Sequence, residues 1–264
     1  VLAVATPAFH ATDRTPAALF ALNRATSWEG FVAALRDWHA PMQNIVYADP
    51  DGQIGLYSPA LLPNRKTGDG WLPHPGWTGE YDWDGFVPFE ALPHALNPPG
   101  GKLINANNRL VPDDFPVFIT RDWDSPFRAR RIADLLDVQP LHDIDSMETI
   151  LRDSVSLFAP RVLPTLLAVS PADDRGRDAH ALLRQWDGAM RRDRPEPLIF
   201  NMWTRELTVR LAADELGELA AELAAEYPAV IEAAAMGGSR FCDDVRTTER
   251  EDCAGQIAGA LRNA

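Results

Sequence analysis

The sequence predicts an α+β chain, on three observations. Short β-rich runs broken by turn residues fall in the first 120 residues, alongside one helical stretch. Residues 121–264 carry mostly helical periodicity with capping residues at the starts. Between these patterns lies a long proline-, glycine- and tryptophan-rich segment. The predicted division is therefore a mixed region at 1–120 and a mainly helical subdomain at 121–264.

Residues 15–39 are predicted helical. "TPAALFALNRA" places threonine and then proline at a helix start, where proline's missing N–H costs nothing. In "SWEGFVAALRDW", Trp28, Phe31, Val32 and Leu35 recur at i, i+3, i+4 and i+7, which makes one apolar face, with Ser27 as N-cap. The period then changes. "NIVYADPDGQIGLYS", residues 44–58, has two β-rich runs around "DPDG", a type I turn signal, and predicts a β-hairpin. Asp49, Asp51 and Gly52 resemble a calcium loop only superficially. That loop needs glycine sixth and glutamate twelfth, and Ile54 and Ala60 stand there.

Residues 59–101 exceed an ordinary connection, so they are either a packed structural excursion or a pocket wall for an apolar substrate. Trp71, Trp77, Tyr81, Trp83, Phe86 and Phe89 supply the aromatic area expected to order them. "KLI" predicts a strand that ends in the asparagines of "INANNR", residues 104–109. From Asp124, "DSPFRARRIADLLD" predicts a helix capped by aspartate or serine, with proline in its first turn. Asp145 precedes Glu148 by three residues, the spacing of a capping box. Further helices are predicted near 178–187, 198–212, 214–226 and 251–262.

Composition narrows function. At 264 residues, 46% hydrophobic and 24% charged, the chain can bury a substantial core. Its net charge of −13 excludes a basic phosphate-binding face, so no nucleic-acid partner is expected. No run reaches the ~18–20 apolar residues of a membrane helix, so no membrane span is expected. "VLAVATPAFH" has neither a starting methionine nor a basic leader region, and reads as the interior of a longer precursor.

Cys242 and Cys253 are too few for a zinc site and leave two readings, a disulfide closing a short loop or a pair of core thiols. A disulfide implies an oxidising compartment. The chain has no G-x-S-x-G, H-E-x-x-H, Walker A or G-x-G-x-x-G motif. His10, His39, His74, His94, His142 and His180 lack ligand-like spacing and read as surface or loop residues, and Asp113/Asp114 and Asp173/Asp174 as solvent-facing turn pairs. No metal site or cofactor is expected.

What remains is the amide cluster of Asn105, Asn107 and Asn108. Asparagine favours turns, because its side chain bonds nearby backbone and it tolerates positive φ. A side-chain amide also donates a hydrogen bond without carrying charge, which suits an oxyanion hole. Composition leaves both readings open.

Taken in order, "NIVYADPDGQIG", "LPNRKTGDGWLPHPGWTGEYDWDGFVPFEALPHALNPPGGKLINANNR" and "WDSPFRARRIADLL" resemble the penicillin acylase (penicillin amidase) family of N-terminal-nucleophile hydrolases. "SLFAPRVLPTLLA", "LLRQWDGAM" and "FCDDVRTTEREDC" extend the likeness over most of the chain. The resemblance implies part of a four-layer αββα sandwich with a helical subdomain, cut autocatalytically from an exported precursor. It implies periplasmic or secreted localisation, and the remainder of the precursor (an α chain and the N-terminal part of a β chain) as partner. The family hydrolyses amides (EC 3.5.1 type) through an acyl-enzyme on an N-terminal serine, and its penicillin acylases belong to antibiotic biosynthesis.

Within that pattern the resemblance makes Asn107 the oxyanion donor, Arg128 its supporting arginine, and Asn105 and Asn108 structural supports. Arg130 and Arg131 are the competing registers. Val1 cannot be the nucleophile, so the resemblance implies a serine outside this chain and an inactive isolated fragment. The family's calcium residues have no match here, and calcium is not carried over. N-acyl homoserine lactones are an alternative substrate class on the same scaffold. A secreted domain that kept the scaffold and lost the chemistry is the non-enzymatic alternative.

Overall fold

The computed structural model describes residues 2–171, 173–232, 236 and 240–264. Val1, which bears on the nucleophile question, lies outside them. The chain forms two compact units, Val1–Asp124 and Ser125–Ala264.

In the first unit, α1 (Thr15–Leu22) begins with proline in its first turn, and α2 (Trp28–Leu35) is capped by the Ser27 hydroxyl, which accepts from Gly30 N–H. β1 (Ile45–Ala48) and β2 (Ile54–Tyr57) pair antiparallel, with Ile45 opposite Tyr57 and Ala48 opposite Ile54. Asp49 closes the turn between them. Its N–H reaches Gln53 O, its carbonyl accepts from Gly52, and its carboxylate accepts from Gln53 N–H and the Tyr47 hydroxyl. That carboxylate serves the hairpin, which is why the aspartates here look like a cation loop without acting as one. Helix α2 covers the sheet through Trp28, Phe31 and Leu35, in a core shared with Tyr57, Leu62 and Leu92. Gly55 is the contact point, because a Cβ there would lie 2.3 Å from the Trp28 ring.

The long segment is more ordered than its composition predicts. It holds β3 (Pro63–Arg65) and β4 (Trp83–Phe86), which pair antiparallel, and β5 (His94–Leu96), which adds a third strand beside β2. Backbone pairing orders it together with part of the expected aromatic packing. Trp71 and Trp77 stay 57% and 88% exposed, while Phe89 stacks on Tyr57 at 4.5 Å and His74 on Tyr81 at 4.1 Å. A second difference follows at residues 102–105, which run without a ladder partner among the described residues. A β-rich run becomes a strand only when a neighbour takes its N–H and C=O groups.

The second unit is helical. It comprises α3 (Phe127–Leu136), α4 (Ile144–Leu151), α5 (Phe158–Leu167), α6 (Asp174–Arg184), α7 (Glu196–Leu216), α8 (Tyr227–Val230) and α9 (Cys253–Asn263). Two caps differ from expectation. Helix α3 starts after Pro126, one step beyond the aspartate and serine read as its caps. The capping box of α4 is formed by Asp143 and Ser146 rather than Asp145 and Glu148, because Asp143 has the extended backbone a cap requires. The helix expected over 214–226 is instead the end of α7 followed by a 3₁₀ segment, Gly217–Glu226. Gly217, at φ 56°, ends the α-helical turn.

Helix α7 is the spine of this unit. Phe200, Trp203, Leu207 and Leu211 are buried against Phe158, Val162, Leu183 and Ile257. Trp203 Nε1 donates to Ile257 O at 2.9 Å, and the Thr204 and Thr208 hydroxyls bond back to Phe200 O and Thr204 O. Cys242 and Cys253 are joined by a disulfide across an 11-residue separation. Gln256 Nε2 donates to Cys242 O, and Val245 N–H donates to the Asp214 carboxylate. His180 departs from the expected surface placement of histidines. It is buried in α6 beside Trp203, and its Nε2 has no hydrogen-bond partner among the described residues.

Candidate functional site

The asparagine turn lies in the first unit, tied to the open end of the β1–β2 hairpin. Asn107 adopts φ 61°, the left-handed region where asparagine is the best tolerated residue after glycine. Two side chains make this conformation persist. Asn105 Oδ1 accepts the Asn107 N–H at 3.0 Å, and Asn108 Oδ1 accepts the Ala106 N–H at 3.1 Å. The Asn107 carbonyl accepts from Asp124 N–H at 3.1 Å, and Asn108 Nδ2 donates to Arg109 O. Arg109 pairs with Asp113 as the chain leaves the turn.

The three amides therefore do different work. Asn105 and Asn108 satisfy backbone groups. Both backbone N–H groups at the apex, of Ala106 and Asn107, are engaged within the turn. Asn107 is exposed, while Ala106 beneath it is buried.

Two residues absent from the sequence-based candidates join this group. Asn44, one position before β1, donates from Nδ2 to Asn105 Oδ1 at 3.2 Å. Ser58, one position after β2 and fully buried, donates from Oγ to Asn44 Oδ1 at 2.7 Å. The register foreshadows the second bond, because Ile45 faces Tyr57 and the next pair outward is Asn44 and Ser58. Nothing local to either residue signals the link to Asn105, which is 61 positions away from Asn44.

Arg128 stands exposed in the first turn of α3, in the second unit. Of its two competitors, Arg131 is committed elsewhere. It makes a two-pronged bond to Asp153, at 2.8 and 2.6 Å. That pairing raises the arginine's pKa and holds the Asp153 carboxyl below its usual range. Asp113 and Asp114 are exposed, and Asp173 caps α6 by accepting from Gly176 N–H. Among the described residues, no group of three or more His, Cys, Asp or Glu side chains is placed to hold a metal ion. None of the described helices is long and apolar enough to cross a membrane. A surface groove of about 370 Å³ in the second unit, beside Leu182, Leu198 and Met202, contains none of the asparagines.

The penicillin amidase family model matches residues 1–264, the whole chain. The chain belongs to the penicillin amidase family. Its relatives include a penicillin acylase 2 proenzyme of Pseudomonas sp. (strain SE83), 34% identical over 86% of this chain and 29% of the relative. Another is the acyl-homoserine lactone acylase QuiP of Pseudomonas aeruginosa, 31% identical over 96% of this chain and 32% of the relative. The chain thus spans about a third of the length of these relatives. A thermostable penicillin G acylase from Alcaligenes faecalis shares the fold, with TM-score 0.65 and 24% identity over 95% of this chain and 50% of that one. The family is one of acylase hydrolases, and the chain has an α+β fold shared with that penicillin G acylase.

Proposed function

We propose that this chain is part of an amidohydrolase that cleaves a linear amide of an N-acylated small molecule through an acyl-enzyme. The observation that carries the reading is the Asn107 turn, rigidly held at a positive φ in a chain that matches the penicillin amidase family throughout.

The nucleophile of this mechanism is an N-terminal serine supplied from outside residues 1–264. Its α-amino group takes the hydroxyl proton as the oxygen attacks the amide carbonyl. The carbonyl oxygen becomes an alkoxide, and the Asn107 side-chain amide donates to it. An uncharged donor suits this role because it stabilises charge as it develops without binding a resident anion beforehand. The tetrahedral intermediate expels the amine, which takes up a proton. Water then hydrolyses the ester to release the acid and restore serine. Asn105 and Asn108 hold the backbone of the Asn107 turn, and Arg128 keeps the supporting role that the family resemblance assigns to it. The isolated 264-residue chain has no amidase activity under this reading. Its partner is the remainder of the same autoproteolytic precursor, and the disulfide fits a periplasmic or secreted setting.

A second substrate reading has its own support. Relatives described as acyl-homoserine lactone acylases align over 96–100% of this chain, against 86% for the penicillin acylase 2 proenzyme. Hydrolysis of phenylacetyl, glutaryl and long-chain N-acyl homoserine lactone amides by the full-length protein discriminates between them. Cleavage of none of the three would sink the amidohydrolase reading in favour of a non-catalytic domain. In the full-length protein, Asn107→Ala is expected to lower kcat by ~10²-fold or more with the fold intact. A near-wild-type rate would return Asn107 to the role of turn former.

A further inference from the structure

Resting on the oxyanion assignment of Asn107, we propose that Asn44 and Ser58 are positioning residues that orient Asn107 from the hairpin. The geometry is a continuous polar chain within the first unit. Ser58 Oγ donates to Asn44 Oδ1 at 2.7 Å, Asn44 Nδ2 donates to Asn105 Oδ1 at 3.2 Å, and Asn105 Oδ1 also accepts the Asn107 N–H at 3.0 Å.

Each bond settles the orientation of the next. The buried Ser58 hydroxyl takes the oxygen side of the Asn44 amide, so its nitrogen side is turned towards Asn105. Asn105 then has a donor from the hairpin and a donor from the turn on one oxygen, which leaves its amide plane no freedom to rotate away. The Asn107 N–H is held to that oxygen, and this contact accompanies the φ of 61° at which the side chain leaves the backbone. Ser58 is itself anchored, because its N–H donates to Pro93 O at 2.9 Å. An oxyanion donor is effective only when held in place before the reaction, since a misplacement of about 1 Å costs ~10²-fold. The relay carries the rigidity of a hydrogen-bonded sheet to a turn that lacks a ladder of its own. Neither Asn44 nor Ser58 meets substrate in this role.

The test is a double-mutant cycle in the full-length protein, using whichever of the phenylacetyl, glutaryl or acyl-homoserine lactone substrates it cleaves. Asn44→Ala and Ser58→Ala are each expected to lower kcat about 10-fold, with KM changed by less than about twofold and the melting transition retained. In an Asn107→Ala background, either substitution is expected to cost less than about twofold further, because the donor it positions is gone. If Asn107→Ala is severe but Asn44→Ala is silent or fully multiplicative with it, the relay is overturned and the oxyanion assignment stands. A wild-type rate for Asn107→Ala alone removes the oxyanion assignment, and the relay with it. Should Asn44→Ala fail to fold, the Ser58→Ala cycle with Asn107→Ala remains measurable, because it deletes a single buried hydroxyl.

Discussion

At the residue scale, the three asparagines of one hexapeptide separate by what their side chains bond. Asn105 and Asn108 are caps on the turn's own N–H groups, and Asn107 is the residue they shape. Gly55 shows the same dependence on a neighbour. Trp28 occupies the space a side chain would need, with its ring 2.3 Å from the position of a Cβ. Gly55→Ala is expected to destabilise the protein by about 1–3 kcal/mol by forcing α2 off the sheet. Equilibrium denaturation measures this, and an unchanged midpoint would show that the indole moves aside freely. No periodicity marks Gly55 as special, because glycine in a strand reads only as a weak point until the opposing tryptophan is known.

At the element scale, the hairpin and the first two helices were legible because their signals are local. The Ser27 cap, the 3.6-residue apolar stripe and the "DPDG" turn each act within a few residues. The long segment was not legible, because β5 depends on pairing with β2 about forty residues earlier. The disulfide segment behaves similarly. It holds the chain between Cys242 and Cys253 against α7 and α9 through Gln256 and Asp214. Reducing the disulfide, or replacing both cysteines with alanine, is expected to cost about 3 kcal/mol, chiefly by enlarging the unfolded ensemble. Denaturant unfolding with and without reductant gives that difference, and coincident curves would refute it. Trp203 anchors α7 by both packing and its bond to Ile257. Trp203→Ala is expected to cost about 3–5 kcal/mol in the same measurement.

At the scale of the whole molecule, acid should act in two stages. Burial lowers the pKa of His180 below its ordinary 6.5, with nearby Arg184 adding to the effect. The unfolded chain therefore binds this proton more readily than the folded one. His180 contributes stability that is present above about pH 6.5 and is lost as pH falls through the lowered folded value. The carboxylates come later. Hydrogen bonds from Arg246, through its side chain and backbone, lower Asp244 to about 2, and the side-chain bond from Arg131 lowers Asp153. Their contributions are complete above the ordinary carboxylate pKa of about 4 and disappear towards pH 2. Melting temperature is expected to fall first below pH 6.5 and again below pH 4, and His180→Gln should remove the first step alone. A single transition near pH 4 in the unsubstituted protein would contradict the His180 assignment.

Sequence alone determined the elements whose causes are near neighbours: caps, turns, helical stripes and the family likeness carried by an ordered set of motifs. The family likeness also singled out one turn as the candidate site, which composition alone left open between a turn former and a hydrogen-bond donor. Tertiary structure decided which asparagine of the turn is exposed, which arginine is engaged by Asp153, and that Asn44 and Ser58 reach the turn from the hairpin. Hydrogen bonding explains that division. A cap or turn satisfies its donors within four residues, whereas a relay joining residues 44, 58, 105 and 107 exists only once the sheet brings them within 3.2 Å.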